Sequence, residues 1–195
     1  LTIRLDPDSD LGIEHPNPGQ ALIQEKLTSE TVSGILSRHE KFDLIICCRM
    51  LEHAQNTNQF ISCLRKLLNP GGYLIFEVPD STKPLVQGDL AMLWEEHPNY
   101  FTPNSLRAAF SRIGMSVEQI WKYSYSQEDA MLVIVKEKDS ELQLDGDLDI
   151  SKELEYGHQY KVKLDNLRRK IHTSLVQLIA KQGKPNLNHQ VETLH

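Results

Sequence analysis

The sequence predicts an α/β fold: a largely parallel sheet that closes with a reversed hairpin, followed by a helical extension. Three observations predict it. Two apolar runs, FDLIICC (42–48) and YLIFEV (73–78), flank one amphipathic segment. Two further strand-like runs, 117–125 and 130–136, lie only four residues apart. A long apolar stripe at helical spacing follows an acidic stretch.

The run 42–48 is short and continuously apolar, as in a strand buried on both faces of a parallel sheet, and it reads as a central strand. Asn56 and Thr57 offer N-caps to a helix whose apolar residues Phe60, Ile61, Leu64, Leu67 and Leu68 recur at three- and four-residue spacing. Asn69, Pro70, Gly71 and Gly72 stop it. Strand, helix and strand in that order make a crossover unit with parallel pairing. Thr102 then caps a second helix, with Pro103 at its first position, Leu106, Ala109, Phe110 and Ile113 on its inner face, and Gly114 just past its end. The spacing of the last two runs suits an antiparallel hairpin at a sheet edge. Five acids between Asp139 and Asp149 thin out the apolar content, which predicts a solvated linker at 139–149 between a first domain (1–138) and a helical extension with a polar tail (150–195). In the extension, Tyr160, Leu164, Leu167, Ile171, Leu175, Leu178 and Ile179 form a helical stripe. A helix over 155–182 carrying that stripe is expected to pack on the first domain, on a second copy or on a further domain.

A formal charge of -6 argues against a nucleic-acid partner, because phosphate binding rests on clustered Lys and Arg. There is no apolar run of about 18 residues and no charged-then-apolar leader, so neither a membrane span nor a signal peptide is expected, and the cytoplasm is the default compartment. Cys47, Cys48 and Cys63 form no CxxC pair and read as reduced, buried thiols. His15, His39, His158, His172, His189 and His195 are scattered without paired ligand spacing, so no metal site is expected.

The run FDLIICCRMLEH (42–53), followed after a helix by LLNPGGYLIFEVPD (67–80), resembles the fourth and fifth motif segments of class I S-adenosylmethionine (SAM)-dependent methyltransferases. The resemblance implies a Rossmann-like sheet with SAM outside the carboxyl ends of its strands. The backbone of Cys48, Arg49, Met50 and Leu51 would then face the methionine end of the cofactor. In this family an acid followed by proline, at the end of the second strand, accepts hydrogen bonds from the ribose hydroxyls. Asp6, before Pro7, matches that position, with Glu14 as second choice. An ordinary turn acid is the alternative reading of Asp6. No GxGxG-like loop precedes Asp6, so the resemblance implies a domain that continues upstream of these residues, and weak SAM binding without that part.

A second cluster, LWEEHPNYFTPNSL (93–106), resembles the Glu-His-x-x-Tyr-Phe-(Ser/Thr)-x-x-Ser-Leu stretch of deoxysugar C-methyltransferases, whose substrates are nucleotide-linked keto sugars. By position, the resemblance assigns acid-base roles to Glu96 and His97 and places His53 against the substrate. Trp94 departs from the family's tyrosine and cannot act as its acid. Methyl transfer to carbon needs a proton removed beside a ketone. His97 is the expected base, with Glu96 fixing its tautomer and His53 or Tyr100 donating to the enolate oxygen. The simpler alternatives are that His53 bonds a backbone carbonyl and that Tyr100 and Phe101 staple a helix entry. An O- or N-methyltransferase of a metabolite or lipid, and a non-catalytic partner module, are the competing readings of the whole chain.

Overall fold

The computed structural model describes residues 2–15, 17–94, 96–125, 128–138 and 149–182. The acidic stretch expected at 139–149 lies almost wholly outside them, as do the polar tail and Gln127. Before the sheet come three helices, α1 (Pro7–Leu11), α2 (Gln20–Lys26) and α3 (Ser29–Arg38). Strand β1 (Phe42–Cys48) leads through a single 3-10 turn (Leu51–His53) into α4 (Thr57–Lys66) and then β2 (Leu68–Pro79). Helix α5 (Thr82–Gln87) and a second 3-10 turn (Leu90–Met92) precede α6 (Pro103–Arg112), which is followed by β3 (Met115–Tyr123), β4 (Ala130–Glu137) and α7 (Ile150–Gln182).

The caps act as the sequence predicts. Asn56 accepts from the Gln59 amide at 3.0 Å, and Thr102 and Ser105 bond each other's backbone N–H groups reciprocally. The sheet order is β1-β2-β4-β3, with β1 and β2 parallel and β4 antiparallel to both of its neighbours. Strand β2 begins earlier than the glycine stop suggests: Leu68 already pairs with Phe42, and the register slips before Leu44 pairs with Tyr73. Gly72 permits that crowding, since a Cβ there would sit 3.0 to 3.1 Å from three backbone carbonyl oxygens.

One sheet face carries the core. Leu74, Phe76 and Val78 of β2 are buried beside Met131, Val133 and Val135 of β4, under Phe60, Ile61 and Leu64 of α4 and Leu106 and Phe110 of α6. The opposite face differs from expectation. β1 is not central: among the described residues it pairs with β2 alone, and its second face is open, leaving Leu44 48% and Ile46 62% exposed. An apolar run reports side chains suited to burial on both faces, but not whether anything covers the second one. The same alternation exposes Cys48, which corrects the expectation that all three thiols are buried.

Helix α7 starts at Ile150, earlier than the stripe suggests, and its first half finds a partner within the chain. Thr102 Oγ1 donates to Glu153 Oε1 at 2.7 Å, Tyr160 Oη donates to the Asp89 carbonyl oxygen at 3.2 Å, and Lys163 bonds the Val86 carbonyl oxygen. Gly88, at φ 72°, lets the helix cross α5 closely, because a Cβ there would overlap the Lys163 side chain at 2.5 Å. Ile171, Leu175, Leu178 and Ile179 are exposed.

Candidate active site

The site forms where β1 and β2 end. Arg49, directly after β1, holds a left-handed backbone at φ 54°, a conformation that costs a non-glycine residue about 1–3 kcal/mol and persists only where neighbours impose it. They do so here. The Arg49 amide donates to the Glu77 carbonyl oxygen at 2.8 Å, while its guanidinium reaches Glu77 at 3.2 Å and Glu128 at 2.6 Å. From the other side, the buried Gln24 of α2 donates its side-chain amide to the Met50 carbonyl oxygen. The backbone of 48–51 is thus clamped between α2 and the sheet. The Leu51 side chain is fully buried and serves the core. Burial pushes the Cys47 thiol up to about 12, and partial burial followed by the neighbouring Glu77 carboxylate raises that of Cys48, so neither is a ready thiolate.

The turn that follows tucks Glu52 and His53 inside, and Glu52 is 1% exposed. A second loop is tied over it. Asn99 donates its backbone N–H to the Glu52 carbonyl oxygen at 3.2 Å and its side-chain amide to the Ala54 carbonyl oxygen at 2.6 Å. Thr57 Oγ1 holds the Asn99 amide oxygen at 3.3 Å. Asn99→Ala is therefore expected to cost about 1–2 kcal/mol, because the Ala54 carbonyl loses its side-chain donor while the backbone N–H to Glu52 is kept. Faster amide exchange confined to residues 51–54 and 96–101 would show it, and unchanged exchange there would contradict it.

With the loops so joined, the His53 and His97 rings meet edge to face, centroids 4.5 Å apart at 84°. His53 Nδ1 lies 2.9 Å from the Glu96 carbonyl oxygen, an acceptor, so that nitrogen carries the proton and Nε2 keeps the lone pair. Burial, then the neighbouring His53, lowers the pKa of His97, which favours its neutral ring. Burial also pushes the Glu52 carboxyl up to about 7. His97 and Tyr100 line a small cleft with Asp80, Ser81, Met92 and Glu128. Asp80 there is pinned by Thr82 at 2.6 Å and Lys122 at 2.5 Å.

The fold therefore unites His53, His97 and Tyr100. The Tyr100 hydroxyl is held by the Trp94 backbone, accepting from its N–H at 3.1 Å and donating to its carbonyl at 3.3 Å. Glu96 joins through its backbone, while its side chain is exposed and does not fix the His97 tautomer. Asp6 sits apart from the expected strand end, for residues 2–6 are not a strand. Its exposed carboxylate caps α1, accepting from the Ser9 amide at 2.9 Å and the Ser9 hydroxyl at 3.0 Å. Sequence reasoning passed over Glu52, Asn99 and Glu128. Only Glu52 had a signal, its place beside His53 in the strand-end segment.

The methyltransferase domain family matches residues 8–120, more than half of the chain. The chain belongs to that family. The methyltransferase match spans β1, β2, both site loops and α6, whereas Asp6 precedes it and α7 follows it. A stretch of 69 residues is 35% identical to the ubiquinone biosynthesis O-methyltransferase of Pasteurella multocida (strain Pm70), covering 35% of this chain and 28% of that relative. Two solved methyltransferases are more distant. Magnesium protoporphyrin IX methyltransferase from Synechocystis PCC 6803, solved with bound SAH, is 17% identical with a TM-score of 0.41, covering 58% of this chain and 61% of its own. The N-methyltransferase NodS from Bradyrhizobium japonicum WM9, in complex with S-adenosyl-l-homocysteine, is 18% identical with a TM-score of 0.37, covering 51% and 48%. Among the described residues, no helix is long and apolar enough to cross a membrane.

Proposed function

We propose that this chain forms the acceptor side of a SAM-dependent methyltransferase and that the methyl group goes to a carbon beside the ketone of a nucleotide-linked sugar. The observation that carries the reading is the meeting of His53 and His97 at the carboxyl end of β1, inside the span of the methyltransferase family. The Glu96, His97, Tyr100, Phe101, Thr102, Ser105 and Leu106 pattern supports the sugar.

The backbone of Cys48, Arg49, Met50 and Leu51, left-handed at Arg49 and held by Glu77 and Gln24, fits the cofactor role because it lies at the strand end where such sheets present ligands. SAM, when bound, supplies an electrophilic methyl on its sulfonium. Asp6, whose Oδ1 already accepts from Ser9, would meet the ribose hydroxyls with Oδ2. His97, whose lowered pKa favours the neutral ring, would take the proton from the carbon beside the ketone, and that carbon would then accept the methyl group that bound SAM supplies. The enolate oxygen would take its hydrogen bond from His53 protonated at Nε2, since Nδ1 is engaged by the Glu96 carbonyl, or from the Tyr100 hydroxyl turned away from the Trp94 carbonyl. Glu96 acts through its carbonyl, by orienting His53.

In the enzyme that carries this chain, His97→Ala is expected to lower methyl transfer from labelled SAM about a hundredfold and to stop exchange of the proton beside the ketone in deuterated water. Undiminished exchange would remove His97 from the role. The similarity to the ubiquinone biosynthesis O-methyltransferase favours a second reading, transfer to a hydroxyl oxygen. Carbon-linked and oxygen-linked methyl groups differ in the NMR spectrum of the product, which separates the two.

A further inference from the structure

We propose that Glu52, His53 and His97 form a binding site for a divalent transition-metal cation of the zinc class, with room for one ligand from solution. One donor atom from each of the three residues lies within 4.8 Å of the other two. In a tetrahedral zinc site, ligand atoms at about 2.0–2.2 Å from the metal sit roughly 3.4 Å from each other, so closure needs a shift of only about an ångström. Two imidazoles with one carboxylate suit zinc, cobalt or iron(II) far better than calcium or magnesium, which favour all-oxygen shells.

Independent features point the same way. Glu52 is 1% exposed, and its Oε2 has no hydrogen-bond partner, a costly arrangement for a carboxylate that a cation would relieve. His53 donates from Nδ1 to the Glu96 carbonyl oxygen, the outer-shell bond that metal-bound histidines commonly make, and this leaves Nε2 as the ligand atom. Arg49, whose charge reaches the site, is paired with both Glu77 and Glu128, which offset its repulsion of a bound cation. His97 is only partly buried, so the fourth coordination position opens on the cleft that it lines with Tyr100 and Asp80.

The site goes beyond the methyl-transfer reading and competes with it at one atom. A cation held by His97 occupies the lone pair that proton abstraction would use, so the loaded protein would act on an acceptor oxygen as a Lewis acid and not on a carbon through His97.

Titrating the 195-residue chain with Co2+ is expected to give one site with visible absorption typical of four-coordinate cobalt, and Zn2+ is expected to displace it. Glu52→Gln and His97→Asn should each raise the Kd for Co2+ tenfold or more, while a His15→Ala, His39→Ala variant should bind as the wild type does. Circular dichroism confirms that each variant is folded, and His97→Asn, at a partly exposed position, guards against a fold defect in the other. No cobalt spectrum at millimolar Co2+, or unchanged affinity in both site variants, would overturn the proposal. Neither result touches the proton-exchange test of His97 as a base, which is run with a chelator present.

Discussion

Phe76→Ala is expected to cost the fold about 4 kcal/mol, read as a fall in the urea midpoint at unchanged slope. Phe76 is 0% exposed, faces Cys47 on β1 and Val133 on β4, and stacks at a tilt on Phe110 of α6 with centroids 5.2 Å apart. Truncation removes the ring's burial, leaves a cavity between two strands and a helix that cannot collapse together, and abolishes an aromatic pair. Against a total of about 5–15 kcal/mol for an ordinary domain, that is roughly a quarter or more of the stability. One face over, Ile46→Ala should cost under about 1 kcal/mol, because that side chain is already 62% exposed. Equal losses at the two positions would mean that the open face of β1 is covered in solution.

Glu52→Gln is expected to stabilise the protein above neutral pH by up to about 3 kcal/mol. Burial, opposed by Arg49, raises the folded carboxyl from 4.5 to about 7, with Glu128 and Glu77 adding to the rise. A raised carboxyl pKa means that the folded state holds its proton more tightly than the unfolded chain. The native state therefore keeps its full stability below about pH 4.5 and loses part of it progressively as the pH rises to about 7, after which the loss is complete. The glutamine variant has no proton to lose and should show a flatter curve, with the two proteins diverging across that window. Urea unfolding between pH 5 and pH 8, in the presence of chelator, measures the difference; parallel curves would show that Glu52 ionises freely in the fold.

Much of the architecture was legible because local physics decided it. Helices α4 and α6 were readable from Asn56 and Thr102, whose side chains satisfy backbone donors within the next three residues, and from apolar spacing that needs no knowledge of the partner. The reversed strand β4 was readable from the short gap after β3. Asp6 shows the opposite case. Asp-Pro reads equally well as a strand end or as a helix cap, and the Ser9 hydroxyl and amide draw its carboxylate into the cap.

The site was half legible. His53 and His97 were named from the segments that carry them, yet they are 44 residues apart, and nothing in either segment encodes a 4.5 Å ring contact. That contact depends on Asn99 bonding the Glu52 carbonyl through its backbone N–H and the Ala54 carbonyl through its side-chain amide, and neither segment by itself shows which distant carbonyls those donors will meet. The role of Glu96 changed for the same reason: its carbonyl, not its carboxylate, faces the site. The burial of Glu52 was hidden too, since an acid after a strand reads as solvated until a turn folds it beneath a second loop.

By itself the sequence determined helices α4 and α6 with their N-caps, the four strand runs and the residue types available at the strand ends, because these depend on neighbours within about four positions, whereas α1, α2, α3 and α5 were not read from it. Only the tertiary structure decided that β1 leaves one face open, that α7 docks by its first half on α5, and that a carboxylate and two imidazoles converge. Those outcomes are set by which distant surfaces meet, and a single stretch of chain holds no record of its partner.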